Sequence, residues 1–344
     1  MSSPYMIHLL LAAHDYAGAL ILRALRRPLM EEGYKITVWV AGPAATVLAP
    51  AARSWKESDI GQENISRALQ SINPDIILTG TSYPNLIERH LWAAAGGRPT
   101  LALFDTWYNF RKRLTGPNGE ITFQPSRIGV IDQESANELA AKDWLNSCIE
   151  IIGQPHFEDL AANFRPITGQ RNQRMVILFA SEPYKEVINI EEPTGYDQYA
   201  IAQMCLPACK DIDLWILPHP NETEDSWPNW ISRQSAKGYN VQLASGDRRD
   251  FLSRVDGLIG INSGISVEAR VLGLPTLILQ PDRKRIINPA FDRLPGLTPV
   301  TNKAQVKQAV LDYITLVGGG RWQHPPLSFL GSTRKVIDLI NRMI

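Results

Sequence analysis

Short, almost wholly apolar runs alternate with longer amphipathic stretches along this chain, and no other feature constrains its fold as tightly. A strand covered on both faces must be apolar at nearly every position, and such strands occur in parallel sheets flanked by helices. In the first half the runs fall at 6–12, 34–40, 75–79, 100–104, 127–131 and 149–152, with helical patterns at 17–32, 63–72, 86–95 and 134–145. After a short helical stretch at 157–164 a second series begins, with strands expected at 175–180, 214–217, 241–243, 257–261 and 276–279 and closing helices at 303–316 and 333–344. This is the βαβ pattern read twice.

The expectation is an α/β protein of two Rossmann-like, doubly wound parallel-sheet domains, the first over 1–165 and the second over 166–330. A helix over 331–344 could fold back on the first domain. The 344 residues suffice for two cores, at roughly 150 residues each. The polar segment from Arg165 to Arg174 is the candidate linker. Tandem sheets of this kind can face a central cleft with the carboxyl ends of their strands, so ligand-binding groups are sought in the loops after strands.

Composition removes several functions. With 35 basic and 35 acidic residues, no global field draws the chain to nucleic acid. No apolar run approaches the ~20 residues of a membrane span, and the start Met1-Ser-Ser-Pro-Tyr-Met6 lacks a signal-peptide pattern. A cytoplasmic protein is expected, with room for peripheral contact at the inner face of a membrane. Cys148, Cys205 and Cys209 are too few for a disulfide framework. Cys205 and Cys209 lie one helical turn apart without a further ligand nearby, and read as small buried apolar residues. The phosphate loop, the Gly-x-Ser-x-Gly turn and the His-Glu-x-x-His helix are all missing. No cofactor and no metal is therefore expected.

The sharpest local signal runs from Gly260 to Pro275: strand, the turn Asn262-Ser263-Gly264, helix, and the next strand. Small residues let a backbone approach a ligand, Ser263 and Ser266 supply hydroxyls, and the free N–H groups of a helix start suit a diphosphate. Glu268, read in the first helical turn, could accept both hydroxyls of a ribose. The plainer alternative is that Ser266 caps the helix and Glu268 complements its dipole.

This segment resembles the second domain of GT-B glycosyltransferases and of the related sugar-nucleotide epimerases and hydrolases, whose Ser-Gly-x-x-x-Glu turn holds the donor's diphosphate and ribose. Ser263, Gly264 and Glu268 match it, and Gly273-Leu-Pro275 resembles the family's Gly-x-Pro. The segment from Leu217 to Glu222 is similar to the His-Pro element of capsule and teichoic-acid-type transferases, which implies donor-phosphate binding by His219. The GT-B resemblance would put the Ser181-Glu182-Pro183 loop at those phosphates, through Ser181.

In the first domain the loop Ala13-His14-Asp15-Tyr16-Ala17-Gly18 resembles the first loop of GT-B enzymes, including lipid A disaccharide synthase. Asp15, with His14 beside it, would take the proton of an acceptor hydroxyl; alternatively Asp15 is only the helix N-cap. The segment from Phe104 to Arg113 is similar to one in some bacterial surface-polysaccharide proteins, making Asp105, Trp107 and Arg111 acceptor-side candidates, with Arg113 as a further cation. Packed aromatics beside a solvated basic face read equally well. Thr81, in the Gly80-Thr81-Ser82 turn with Glu88 beyond it, would line the acceptor side.

The resemblance implies a metal-independent transferase that moves a sugar from a nucleoside diphosphate sugar to a glycan, lipid-linked or small-molecule acceptor, as in bacterial surface-glycan synthesis. It makes 1–165 the acceptor-side domain and 166–330 the nucleotide-sugar-binding domain, and inversion at the anomeric centre goes with a base at Asp15 or His14. Hydrolysis or 2-epimerisation of the sugar nucleotide, or a catalytically silent binding subunit, are the alternatives.

Overall fold

The computed structural model describes residues 6–49, 52–83, 87–115, 120–121, 123–164, 174–183, 197–219, 222, 226–246, 251–283, 288–319 and 327–344. Residues 165–173 of the expected linker lie outside them. The chain divides into two compact units, Met1–Asp159 with Phe329–Ile344, and Leu160–Ser328.

The first unit is built on seven strands: β1 His8–Ala13, β2 Lys35–Ala41, β3 Arg53–Trp55, β4 Ile76–Thr79, β5 Thr100–Leu103, β6 Arg127–Val130 and β7 Cys148–Ile151. They pair in parallel in the order β3-β2-β1-β4-β5-β6-β7. Central β1 is buried at all six positions, as an apolar run predicts, whereas β7 at the edge is half exposed. Leu9 and Leu11 pack with Leu22, Leu25 and Leu29 of the helix Tyr16–Glu31, each fully buried leucine contributing about 1.5–3 kcal/mol. Val336, Leu339 and Ile340 of the helix Ser332–Asn341 complete the same cluster. That helix is seated by Glu158, whose carboxylate accepts the N–H groups of Gly331 and Thr333 at 2.6 and 2.7 Å.

The second unit holds β8 Val176–Ala180, β9 Asp213–Leu217, β10 Asn240–Leu243, β11 Gly257–Gly260 and β12 Thr276–Ile278, parallel in the order β10-β9-β8-β11-β12. Every residue of β8 is buried. One face of the sheet is covered by Ile201, Cys205, Trp227 and Val310. Cys205 and Cys209 are both buried in this cluster, and burial pushes both thiols up, that of Cys209 to about 12. Among the described residues no group of three or more His, Cys, Asp or Glu is arranged to hold a metal, and no helix is long and apolar enough to cross a membrane.

Both sheets start alike. The carboxylate of Asp75, just before β4, accepts the backbone N–H of His8 at 2.7 Å, and Asp256, just before β11, accepts that of Val176 at 2.8 Å. Each sheet reverses its winding between its first and fourth strands, β1 and β4 or β8 and β11, and the carboxyl side of such a switch point is where ligands bind in open α/β sheets.

Several elements depart from the sequence reading, among them one strand and one helix that bear on the site. Strand β3 was not foreseen, because three residues, Arg-Ser-Trp, carry no periodicity; Trp55 holds it in place against Trp39 with ring centroids 5.2 Å apart. The helix expected to reach residue 145 is Gln133–Ala140, started by the Asp132 side chain accepting from Ser135 N–H.

Candidate functional site

In the first unit β1 delivers His14 and Asp15 to the switch point. Asp15 occupies the N-cap position of the helix Tyr16–Glu31, but its side chain caps nothing. Its Oδ1 instead lies 3.1 Å from Nδ1 of His14, whose Nε2 lies 3.2 Å from Glu57 Oε1. The His14 N–H donates to Glu88 Oε1 at 2.9 Å, and the Ser82 hydroxyl donates to Glu88 Oε2 at 2.7 Å. Gly18 and Gly80 let the two loops touch: a Cβ on Gly80 would stand 3.0 Å from the Gly18 Cα.

The charges follow from this packing. Burial works against a protonated His14, but the hydrogen bonds to Asp15 and Glu57, with the charges of Glu88 and Asp15, outweigh it and raise its pKa. Burial pushes the Glu88 carboxyl up against the opposing pull of its Ser82 and His14 donors, and nearby Asp15 adds to the rise. Asp105, beyond β5, is also pushed up by burial, although Arg113 pulls the other way. The Arg113 Nη1 donates to Asp105 Oδ1 at 2.9 Å and to the Thr81 carbonyl at 2.8 Å. His14, Asp15, Thr81, Glu88 and Asp105 thus belong to one network, with Asp15 acting on each of the other acids.

The remaining first-unit candidates lie otherwise. Trp107 is buried, donates its indole N–H to Asp132 at 2.7 Å and stacks on Phe157, so its ring faces are inside the unit. Arg111 is exposed, its guanidinium 6.0 Å from the centroid of the Trp144 ring. Arg113 is not a free cation for a ligand, being spent on Asp105 and Thr81.

In the second unit the helix Gly264–Val271 starts directly after β11 and the turn 261–263. Ser263 is its N-cap residue, and its side chain makes no cap hydrogen bond; it bonds to the Glu182 carboxyl instead. Ser266 therefore does not cap the helix. It is fully buried, its Oγ has no hydrogen-bond partner, and a Cβ on Gly260 would lie 2.1 Å from it. Glu268 is the fifth helical residue, one turn later than the sequence suggested, and is buried. Gly264 opens the helix, and a Cβ there would meet no atom within 4 Å, which leaves space over the helix start.

Glu222 organises the neighbouring loops. It accepts the Ser181 hydroxyl at 2.6 Å, the His219 backbone N–H at 2.6 Å and the Trp227 indole N–H at 3.2 Å. Ser181 and His219 are thereby joined across the carboxyl ends of β8 and β9. Glu182 is pushed up to about 8 by burial and by Glu222, with Ser263 opposing. Asn262 presents a buried Oδ1 without a hydrogen-bond partner beside this group. Glu57 carries no signal in the sequence, and Glu222 stands there only as the end of the Leu217–Glu222 segment. Their partners lie 43 and 41 residues away along the chain, a separation that local pattern does not register.

No family model matches the chain, and no curated protein does. Solved structures do match. A UDP-GlcNAc 2-epimerase from Methanocaldococcus jannaschii aligns over 97% of this chain and 100% of its own, with a TM-score of 0.69 at 11% identity. The UDP-GlcNAc 2-epimerase from Neisseria meningitidis, solved bound to UDP-GlcNAc, aligns over 98% and 100%, with 0.67 at 12%. A glycosyltransferase from Rickettsia africae aligns over 98% of both chains, with 0.57 at 12%. The chain is an α/β protein of two Rossmann-like sheets. Its fold is the GT-B fold, as the sequence resemblance implied.

Proposed function

We propose that the chain is a nucleotide-sugar enzyme, a metal-independent glycosyltransferase that moves a sugar from a nucleoside diphosphate sugar to an acceptor hydroxyl in building a bacterial surface glycan or glycolipid. The observation that carries the reading is the uncapped helix start at Ser263 and Gly264, with open space over it, at the switch point of the second sheet. Free N–H groups and the positive end of a helix dipole stabilise a diphosphate, and go on doing so as it departs with the further negative charge left by the broken sugar–oxygen bond. Asn262, Ser263 and Gly264 meet the phosphates in this reading, Ser181 and His219 flank them, and Glu268 takes the ribose. In the first unit Asp15 accepts the acceptor's proton, with His14 beside it, while Thr81, Asp105 and Arg111 serve the acceptor side. Ser266 contributes packing under the turn, and Trp107 supports Asp132.

A second reading, 2-epimerisation or hydrolysis of the sugar nucleotide, is favoured by one comparison: the two 2-epimerases match with TM-scores of 0.69 and 0.67, against 0.57 for the glycosyltransferase. Incubation with UDP-, GDP-, CDP- and dTDP-sugars, with and without acceptor sugars and lipids, followed by NMR, separates the two. Nucleoside diphosphate released only when an acceptor is present supports transfer. An epimer or free sugar formed without acceptor replaces transfer by the second reading, and donors left unchanged in every arm contradict both.

A further inference from the structure

Glu57 stands on the ring of the residue beside the proposed base. It opens the 3-10 turn Glu57–Asp59 after β3, and its Oε1 reaches His14 Nε2 at 3.2 Å while Asp15 Oδ1 reaches Nδ1 at 3.1 Å. A neutral imidazole has one N–H and one lone pair, so it can donate to only one of these carboxylates. With both carboxyls ionised, both contacts are hydrogen bonds only when both ring nitrogens carry protons. The ring has little room to turn away. Its residue is buried, its backbone N–H is held by Glu88, and a Cβ on Gly42 would stand 2.4 Å from Nε2. The ionisable groups that act on it are Asp15 from the β1 loop, Glu57 from the β3 loop and Glu88 from the helix Ile87–Ala94, all of them acids.

We propose that Glu57 is a positioning residue that locks His14 as an imidazolium and, through it, holds Asp15 with one carboxylate oxygen engaged and the other left for the reacting hydroxyl. The catalytic consequence rests on the reading of Asp15 as the base; the clamp itself does not. It also divides the two candidates, because an imidazolium has no lone pair with which to accept a proton. Glu57 guides the site from outside, its side chain being 70% exposed.

The test is an NMR titration of the histidine rings in the full chain without nucleotide sugar, the His14 signal being assigned by its loss in His14→Gln. In the wild-type protein His14 is expected to titrate above its ordinary 6.5. Glu57→Gln and Glu57→Ala should each lower that midpoint by about 0.3–0.7 pH unit, the size an exposed partner supports, with the circular dichroism spectrum unchanged. A midpoint that stays put in both variants, or a neutral single tautomer at pH near 6 in the wild type, overturns the clamp. Donor binding is measured separately on the second unit's residues, so the clamp and the functional reading can fail independently.

Discussion

In the first unit the loops leaving β1 and β4 lead into a hydrogen-bonded cluster of titratable groups, His14, Asp15 and Glu88, whereas in the second the loop leaving β11 carries small residues and the bare start of a helix. The two sheets share parallel pairing, a strand order that reverses between the first and fourth strands, and an aspartate that ties those strands together at their amino ends. Topology thus fixes where each unit offers a site and leaves its chemistry to a few loop residues. Buried acids are handled differently too. Asp105 is offset by a cation, Arg113, while Glu182 lies beside another acid, Glu222, and is kept from ionising.

That contrast can be broken first at Arg113. Its side chain and that of Asp105 are 15% and 9% exposed, so Arg113→Met should strand a buried carboxylate and cost about 3 kcal/mol or more in urea unfolding. Adding Asp105→Asn should recover most of the loss. A cost below about 1 kcal/mol would reduce the pair to a surface contact.

Glu182 supplies the converse case. Its folded value of about 8 lies above the ordinary 4.5, so the unfolded chain releases this proton first, and its contribution to stability is lost as pH rises from 4.5 through about 8. Glu182→Gln should match the wild type near pH 4 and exceed it by something on the order of a few kcal/mol near pH 9. Melting curves that run parallel across that range would refute the assignment.

The smallest effect belongs to His14. Its raised folded value means that its contribution is fully present below the ordinary 6.5 and is lost as pH rises through the higher folded value. The stability gap between wild type and His14→Gln should then be about 1 kcal/mol or less in acid and shrink with rising pH. A gap that widens toward alkaline pH would show a neutral ring in the folded protein.

The apolar runs revealed the sheets because central parallel strands are covered on both faces: β1 and β8 are buried at every position. Strand β3 escaped, being three residues at an edge with two exposed side chains. The same distinction governs the candidate site. His14, Asp15, Ser181 and Ser263 were legible because each follows a readable strand. Glu57 was not, since it depends on β3, and the Arg113–Asp105 pair was missed because a basic residue on a short helix reads as a solvated face. Trp107 shows the opposite case: an aromatic residue near a strand end suggests a sugar platform, but the ring is buried and its indole N–H donates to the half-buried carboxylate of Asp132.

The central claim, that the second unit's helix start holds the diphosphate of a nucleotide sugar, is tested most directly by calorimetric titration of UDP-, GDP-, CDP- and dTDP-sugars into the wild-type chain and Gly264→Val. A side chain at Gly264 meets no protein atom within 4 Å at its Cβ, so the variant should fold normally and fill only the space over the helix start. Saturable binding of at least one nucleotide sugar, weakened about tenfold or more by Gly264→Val, is the predicted result. Equal affinity in the two proteins, or no binding of any nucleotide sugar by the wild type, would contradict the claim.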